Sequence, residues 1–387
     1  MKSNIYTPSK HKIEFGELKI GKKALKNLQE VCENNWASYG PKCKEFEEKW
    51  GKLFDYKYNI ATSSGTDAVI QACLCLHSLG APRQSEIITP ALGFIATANA
   101  IRAADFKPVF CDVTRETLNL DPTQIEKHIT PNTRAIIAVH TMGRPCEMDA
   151  IMEIAKKHNL LVIEDACEAH GATYKDSFIG SIGDISCFSF YIAHLICCGE
   201  GGMVSTQRED LYNAVFSTRC HGRSGLYFDH PLYGLNSKMN DLEASLGLEA
   251  VDVFWETFNT RHKSMKLLRE ECEGFEHIAH FSEEDEGNRN CPHGFSITLK
   301  DTNSLKLLTS HLDKRGIHWK RNFGSIPTQH KAFDYLGYKL GDFPEAEHVG
   351  DGGIHIGVHQ YLSEEDLEYI CISLREALGA LSLMTTL

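Results

Sequence analysis

Short apolar runs alternate with segments of helical periodicity through the first half of the chain, and this alternation restricts the fold more than any other feature. The runs have the length of buried strands, and they lie at 87–88, 108–111, 135–139, 160–163 and 185–190. The stretches between them predict helices, including 64–76, 122–128 and 148–158. Such a pattern predicts an α/β fold in which helices cover both faces of a mainly parallel sheet.

The pattern changes after a long predicted helix at 240–253. Strand and helix segments then alternate over 294–299, 304–314, 316–320 and 364–377. A chain of 387 residues is too long for one small core. We therefore expect a large domain over 1–255 and a smaller α+β domain over 256–387.

Charge and composition exclude several classes of partner. The formal net charge of −12 disfavours nucleic acid, because phosphate backbones attract clustered Lys and Arg. Residues 1–15 lack the apolar core of a signal peptide, and no stretch approaches about 18 continuous apolar residues. We expect a cytoplasmic protein without a membrane segment. Its fourteen cysteines are scattered through apolar segments and are predicted to be reduced core thiols, with no metal site.

Two polar features suit a pyridine cofactor that carries a phosphate. The stretch 61–68, with Ser64, Gly65 and Thr66 at its centre, is a small-residue turn that leads into a helix, where free amides meet a phosphate. An ordinary helix cap is the alternative. Asp165 follows a buried strand and is placed to pair with a ring nitrogen; a helix-capping aspartate is again the alternative.

A third motif is more specific. It consists of Phe188-Ser189-Phe190-Tyr191, then His194, then Gly199-Glu200-Gly201-Gly202. This stretch resembles the active-site signature of the DegT/DnrJ/EryC1/StrS sugar aminotransferases, which are fold-type-I pyridoxal-phosphate proteins. In that family a lysine lies six residues before the glutamate, and His194 stands at its position here.

Ordered matches to this family extend over nearly the whole chain. They are Ser38-Tyr39-Gly40-Pro41, Phe46-Glu47, the turn at 64–68, Thr89-Pro90, Phe94, Ala96 to Asn99, Glu164-Asp165-Ala166, Gly171-Ala172, His221-Gly222, Gly234-Leu235-Asn236, Met239, Pro327 and His330. The resemblance implies a mainly parallel seven-stranded sheet in the large domain.

The resemblance also implies roles for particular residues. Ser64, Gly65, Thr66 and Ser189 would hold the cofactor phosphate. Phe94 would stack on the cofactor ring, Asp165 would pair with its nitrogen, and Glu168 would stand where many of these aminotransferases carry glutamine. Asn236 matches an asparagine that reaches the phosphate from the neighbouring subunit, which implies a homodimer with shared active sites.

His194 changes the expected chemistry. The family's lysine bonds covalently to the cofactor and moves protons, whereas an imidazole can only move protons. In the resembling 3-dehydratases of 4-keto-6-deoxy nucleotide sugars, which serve deoxysugar and O-antigen biosynthesis, a histidine replaces this lysine and the cofactor is held as pyridoxamine phosphate. One subtype of these enzymes carries an iron–sulfur cluster on four cysteines, including a late Cys-x-Cys pair. The only such pair here, Cys73 and Cys75, lies in the helix after the phosphate turn, which favours the cluster-free subtype with glutamate as amino donor.

Several alternatives stay open at this stage. Leu195 departs from the dehydratases, which carry a second histidine there. On the strength of His194, the protein is nevertheless expected to be a 3-dehydratase, with a sugar aminotransferase or a catalytically silent homologue as the alternatives. Candidates for binding the nucleotide diphosphate are Arg223, Lys238, Lys320, Arg321 and His330, with Trp36 or Trp319 for stacking; for each of these cations, a solvated surface charge is the other interpretation.

Overall fold

The computed structural model describes residues 12–225 and 229–385. Residues 1–11, most of the segment expected to lack a signal peptide, lie outside these described residues. Within the described ranges, no helix is long and apolar enough to span a membrane.

Seven strands form the central sheet. In chain order they are β1 (Tyr58–Thr62), β2 (Glu86–Pro90), β3 (Lys107–Cys111), β4 (Thr133–Val139), β5 (Leu161–Asp165), β6 (Ile185–Ser189) and β7 (Gly202–Thr206). Their spatial order is β1-β7-β6-β5-β4-β2-β3, and β7 is the one strand of the seven that runs antiparallel to its neighbours. The mainly parallel seven-stranded sheet predicted from the sequence is confirmed.

Five of these strands, β2 to β6, coincide with the predicted apolar runs. β1 and β7 were not predicted, because Asn59, Gly202 and Ser205 interrupt their apolar pattern. Both strands are nevertheless almost fully enclosed by α2, α3 and α7, whose bounds follow.

Helices cover both faces of the sheet and continue into the rest of the chain. They are α1 (Lys22–Glu33), α2 (Pro41–Phe54), α3 (Gly65–Ser78), α4 (Ile95–Ala103), α5 (Pro122–Ile125), α6 (Met148–His158), α7 (Glu209–Thr218), α8 (Asp241–Asp252), α9 (Phe254–Glu271), α10 (Leu305–Lys314), α11 (Ile326–Gln329), α12 (Pro344–Gly352) and α13 (Glu364–Thr385). The helix predicted at 122–128 is α5 followed by the 3-10 turn Glu126–His128. The helix predicted at 240–253 is α8, and Asn240 caps it through a reciprocal capping box with Glu243.

A second, antiparallel sheet belongs to the C-terminal part. Its strands are β8 (Ala279–Phe281), β9 (Phe295–Leu299), β10 (Trp319–Arg321) and β11 (Gly353–Ile356), in the spatial order β8-β9-β11-β10. Helices α10, α13 and the second half of α9 close its core around residues such as Ile297 and Leu374.

The first described residues also belong to this second core. Ile13 forms a parallel bridge with Ile317 and is 6% exposed. Helix α9 spans both cores, with Phe258 in the first and Leu268 in the second. The boundary expected near residue 256 therefore falls in the first turn of a continuous helix, and the division of the chain into domains stays a prediction.

Candidate active site

Several site residues meet where strands of the central sheet end. Thr62 ends β1 and Ser189 ends β6, and both pair in register with Gly202 at the start of β7. A Cβ atom on Gly202 would lie 2.3 Å from the carbonyl oxygen of Ser64. Glycine at position 202 therefore lets the turn after β1 pack directly on the start of β7.

The turn after β1 is an open helix N-terminus. Ser64 caps α3, and its Oγ accepts a hydrogen bond of 3.0 Å from the amide of Asp67. A Cβ atom on Gly65 would lie 2.4 Å from Cβ of Ser189, and Thr66 follows in the first turn. The structure thus brings Ser64, Gly65, Thr66 and Ser189 to one place, where amide and hydroxyl donors meet the positive end of a helix dipole.

Asp165 is the last residue of β5 and is 6% exposed. Oδ2 accepts a hydrogen bond of 2.6 Å from the hydroxyl of Thr97, and Oδ1 accepts one of 3.3 Å from the amide of Cys167. Turns rather than a helix follow Asp165, so the alternative of a helix cap is wrong. The carboxyl group is positioned at the carboxyl edge of the sheet by one donor from α4 and one from the turn that follows β5.

Phe94 presents an open aromatic ring near this edge. It precedes α4 and is 61% exposed, with its ring centroid 6.1 Å from that of Phe323. The short strand pair Leu92–Gly93 and Gly324–Ser325 joins the two parts of the chain beside it. His330 lies close to this pair, since a Cβ on Gly324 would be 3.3 Å from its Nε2.

His194 lies at the tip of the loop between β6 and β7. The two arms of the loop are held by the hydrogen bond from the amide of Phe190 to the carbonyl of Gly201 and by a bridge between Tyr191 and Gly199. The amide of His194 donates to the carbonyl of Tyr191 at 3.0 Å. Its ring lines a cleft of about 360 Å³ whose walls include Leu18, Leu195, Arg261 and Tyr361.

Two further histidines surround His194. Its ring centroid is 5.7 Å from that of His170 and 5.2 Å from that of His293. Nδ1 of His194 is shielded from solvent and has no hydrogen-bond partner among the residues that the structure describes. Burial, reinforced by the cations Arg261 and Lys320, lowers the pKa of His194 to about 3. At neutral pH the imidazole is therefore uncharged.

Glu168 is the acidic member of this cluster. Its Oε2 accepts a hydrogen bond of 2.7 Å from the amide of Met142, and its Oε1 lies 3.4 Å from Nε2 of His293. Burial raises the pKa of Glu168 to about 7; the nearby Asp165 adds to this, while the Met142 amide and Lys320 oppose it. The carboxyl group is therefore poised between its two protonation states near neutral pH.

Arg261 and Lys320 are the cations nearest the histidines. Arg261, on α9, is 3% exposed and donates from Nε to the side-chain oxygen of Gln360 at 2.8 Å. Lys320, on β10, has its ammonium 4.2 Å from the ring centroid of Phe15, and burial lowers its pKa. Both cations favour the neutral form of His194.

The other predicted substrate-binding residues lie in different surroundings. Arg321 donates from Nη1 to the carbonyls of Gly350 and Asp351 at the end of α12, on the opposite side of β10 from Lys320. Lys238 donates to the side-chain oxygen of Asn236 and forms an isolated bridge with Thr62, just before the turn at 64–68.

Arg223 and the two tryptophans complete the predicted set. The carbonyl of Arg223 accepts a hydrogen bond from the hydroxyl of Ser217. Trp319 donates to Asp313 within the C-terminal part, whereas Trp36 is 56% exposed. Four neighbours of the site had no predicted role: Thr97, His170, Arg261 and His293. Thr97 was part of a matched segment and His170 lies beside one, but Arg261 and His293 carried no local signal.

The residues present fit a pyridoxal-type phosphate. The helix N-terminus and the hydroxyls of Ser64 and Ser189 suit a phosphate dianion. Asp165 offers a fixed carboxyl group, and Phe94 offers a flat apolar face. At the position of the family's lysine, however, the structure places the imidazole of His194.

The chain matches the DegT/DnrJ/EryC1/StrS aminotransferase family over residues 18–375. It is 31% identical over 381 residues to the spore coat polysaccharide biosynthesis protein SpsC of Bacillus subtilis (strain 168), covering 92% of this chain and 95% of SpsC. It is 30% identical over 374 residues to the dTDP-4-dehydro-2,6-dideoxy-D-glucose 3-dehydratase of Saccharopolyspora spinosa, covering 87% of this chain and 80% of that protein. The PMP form of the putative sugar aminotransferase Spr1654 from Streptococcus pneumoniae has the same fold, with a TM-score of 0.89 at 22% identity over 97% of this chain and 100% of that one. This chain belongs to the DegT/DnrJ/EryC1/StrS aminotransferase family.

Proposed function

We propose that this protein is a pyridoxamine-phosphate-dependent 3-dehydratase that removes the C3 hydroxyl of a 4-keto-6-deoxy nucleotide sugar. Family membership supports the coarser statement that it is a pyridoxal-phosphate-dependent, sugar-modifying enzyme. The observation that carries the finer proposal is His194, a neutral imidazole at the tip of the loop where the family has its lysine. A similar protein bearing the name of a 3-dehydratase adds support.

The cofactor would be held by residues from four segments. Ser64, Gly65, Thr66 and Ser189 bind its phosphate, Asp165 pairs with its ring nitrogen, and Phe94 and Glu168 flank the ring. When bound, the cofactor supplies an amine that condenses with the substrate ketone and a ring that withdraws electrons from the reacting carbons. Thr97 and the Cys167 amide hold the carboxyl group of Asp165 in place for this pairing.

His194 acts as the base. A neutral imidazole accepts a proton at a ring nitrogen, and the absence of an amine leaves the cofactor without a covalent bond to the chain at this position. Lys320 lies within electrostatic range of His194 and Glu168, so it is our first candidate for the substrate diphosphate, with Lys238, Arg223 and His330 as further candidates. Arg321 is occupied with the carbonyls that end α12.

A sugar aminotransferase is the second candidate, and the fold shared with Spr1654, a putative sugar aminotransferase, favours it. The two candidates differ in their products. Purified protein is incubated with pyridoxamine phosphate, glutamate and GDP- or CDP-linked 4-keto-6-deoxyhexoses, and the products are analysed by mass spectrometry. A 3-deoxy product supports the dehydratase; a product that gains nitrogen and keeps the C3 hydroxyl replaces it with the aminotransferase.

Replacing His194 with lysine tests the role of the imidazole. We expect His194→Lys to bond covalently to pyridoxal phosphate, because a primary amine then stands where the family's lysine stands, and to lose C3 elimination. Absorbance and borohydride reduction followed by peptide mapping measure the bond. Ile192→Lys, which adds an amine to the same loop, is the control and should carry no covalent cofactor. Unchanged elimination in His194→Lys would show that His194 is not the base.

A further inference from the structure

His293 stands between two groups of the candidate active site. It lies on the segment that leads into β9, is 5% exposed, and has Nε2 3.4 Å from Oε1 of Glu168. Its ring centroid is 5.2 Å from that of His194. Nδ1 of His293 is shielded and has no hydrogen-bond partner among the described residues. A buried polar atom without a partner calls for an explanation beyond packing.

The carboxyl group of Glu168 is surrounded by groups from several elements. Asp165 faces it from the end of β5, Lys320 from β10, and His293 from the segment before β9. Burial, reinforced by Arg261 and by the neighbouring histidines His194, His355 and His170, lowers the pKa of His293 well below its usual value and keeps it neutral. Glu168 is thus a buried carboxyl group, with a pKa of about 7, beside an uncharged imidazole rather than a fixed cation.

The two residues suit the donation of a proton. Before donation, Nε2–H of the neutral His293 can hydrogen-bond to the carbonyl oxygen of the protonated carboxyl, which leaves the acidic proton free to enter the site. After donation, Nε2–H of His293 can hydrogen-bond to the carboxylate, which stabilises the charge just formed. Met142 supplies a second donor to the same carboxylate from its amide.

We propose that Glu168 is the acid that protonates the departing C3 hydroxyl, and that His293 positions Glu168 and stabilises its carboxylate. The proposal rests on the dehydratase function. In the step, His194 would accept the proton from the carbon that carries the cofactor's amine, and the C3–O bond breaks with its electron pair on oxygen. The oxygen takes the proton of Glu168 and leaves as water, and Glu168 regains a proton from solvent. The two electrons that reduce the sugar at C3 would come from pyridoxamine phosphate, which glutamate would regenerate.

The pH dependence gives the first test. Glu168 must be protonated to act, so C3 elimination should fall about tenfold per pH unit above its pKa of about 7. Glu168→Gln should be at least about tenfold slower, because general acids contribute roughly 10²–10⁴ to rates, and this alkaline limb should disappear. A limb unchanged in Glu168→Gln would overturn the proposal.

A better leaving group separates acid catalysis from a structural effect. Fluoride departs with less need of a proton than hydroxide does, so a substrate with fluorine in place of the C3 hydroxyl should restore most of the lost rate in Glu168→Gln. If Glu168 only holds the fold or the cofactor, the fluorinated substrate will show the same loss as the natural one.

A pair of variants tests His293. His293→Gln keeps an N–H donor and should retain most of the rate, whereas His293→Leu should be slower and should shift the alkaline limb to higher pH, since the carboxylate loses a donor. As a control, His348→Gln removes a half-buried histidine that contacts the carbonyl of Leu299, and it should leave the profile unchanged. Equal rates and limbs for the Gln and Leu variants would overturn the role of His293.

Infrared spectroscopy of the cofactor-free protein is a readout that needs no activity. Near pH 6 we expect the carbonyl stretch of a protonated carboxyl that Glu168→Gln lacks and that vanishes as the pH rises through about 7. Its absence would overturn the proposal. If the wild-type protein shows this band but removes no C3 hydroxyl from any substrate, the dehydratase function fails and this acid role fails with it, while the protonated carboxyl stands as an independent finding.

Discussion

Asp165 illustrates how single residues prepare this site. Its carboxyl group is almost fully enclosed, and hydrogen bonds from Thr97 and the Cys167 amide fix both oxygens. Such donors hold the carboxyl group in one orientation before any ligand arrives, so little ordering is needed on binding.

Removing one donor should weaken cofactor binding. Thr97→Val deletes the hydroxyl that donates to Oδ2 of Asp165, and hydrogen bonds to charged groups contribute roughly 1.5–3 kcal/mol. We expect the Kd for pyridoxamine phosphate, measured by fluorescence titration, to rise about tenfold or more. Thr123→Val is the control, because Thr123 donates to Asp121 at an exposed helix cap. Equal affinities in all three proteins would contradict this role of Thr97.

Residues within the ordered motifs could be located from the sequence, while their distant partners could not. Ser64, Asp165, Ser189 and His194 lie in local patterns whose chemistry can be recognised. His293 lies 99 residues beyond His194 in the chain, and no local pattern distinguishes it from a core histidine. Its contact with Glu168 depends on how the second sheet docks on the first.

At the scale of elements, the contact between α3 and β6 sets the width of the turn that we propose to bind phosphate. Gly65 begins α3 in the place where a Cβ would lie 2.4 Å from Cβ and 2.8 Å from Oγ of Ser189. A side chain there would push the helix N-terminus away from the strand end. The amides of α3 and the hydroxyl of Ser189 would then no longer converge on one anion.

Gly65→Ala tests this contact. We expect weaker binding of the phosphate-bearing cofactor, seen as a higher Kd, and a lower Tm, since the new methyl group clashes with Ser189. Gly379→Ala is the matched control: Gly379 lies in α13, and its added Cβ would meet no atom within 4 Å. Alanine there should raise the Tm slightly, because alanine is favoured over glycine inside a helix by up to about 1 kcal/mol of folding free energy. Wild-type affinity in Gly65→Ala would contradict the proposed phosphate site.

Strands were predictable where burial makes them continuously apolar. β2 to β6 have helices packed on both faces and, except for the edge strand β3, a paired strand on each side. They therefore appear in the sequence as apolar runs. β1 and β7 escaped prediction because polar and small residues interrupt them: the side chain of Asn59 accepts a hydrogen bond from Ser205, and Gly202 makes room for the turn at Ser64. The polar and small residues in these two strands are explained by specific local contacts, and they hide the apolar pattern by which a buried strand is recognised.

At the scale of the whole molecule, the proposed homodimer would complete each site with Asn236 of the other subunit. Asn236 is exposed in the single chain, next to Lys238. An exposed residue that the family resemblance assigns to a phosphate is consistent with a site that is incomplete without a second copy.

Subunit exchange tests this arrangement. His194→Ala and Asn236→Ala proteins should each be nearly inactive. If the sites are shared, random exchange of subunits places both changes in one site of each mixed dimer and leaves the other intact, so activity should recover to about a quarter of the wild-type value. Mixtures that stay inactive after verified exchange would show that Asn236 serves its own chain.

The overall α/β architecture could be predicted, because alternating strands and helices leave few ways to bury their apolar faces. The course of the N-terminal segment could not, since a single bridge between Ile13 and Ile317 produces no periodic pattern in either stretch.

That bridge has a consequence for biosynthesis. Because Ile13 pairs with Ile317, about 300 residues later in the chain, the segment around Ile13 cannot reach its final position until Ile317 has been synthesised. Phe15 contacts Lys320 and lies near His293, so it too can reach its final position only after those residues have been made. Domains made early can fold during synthesis, but the contacts of Phe15 beside His293 can form only after the residues around 320 have been made.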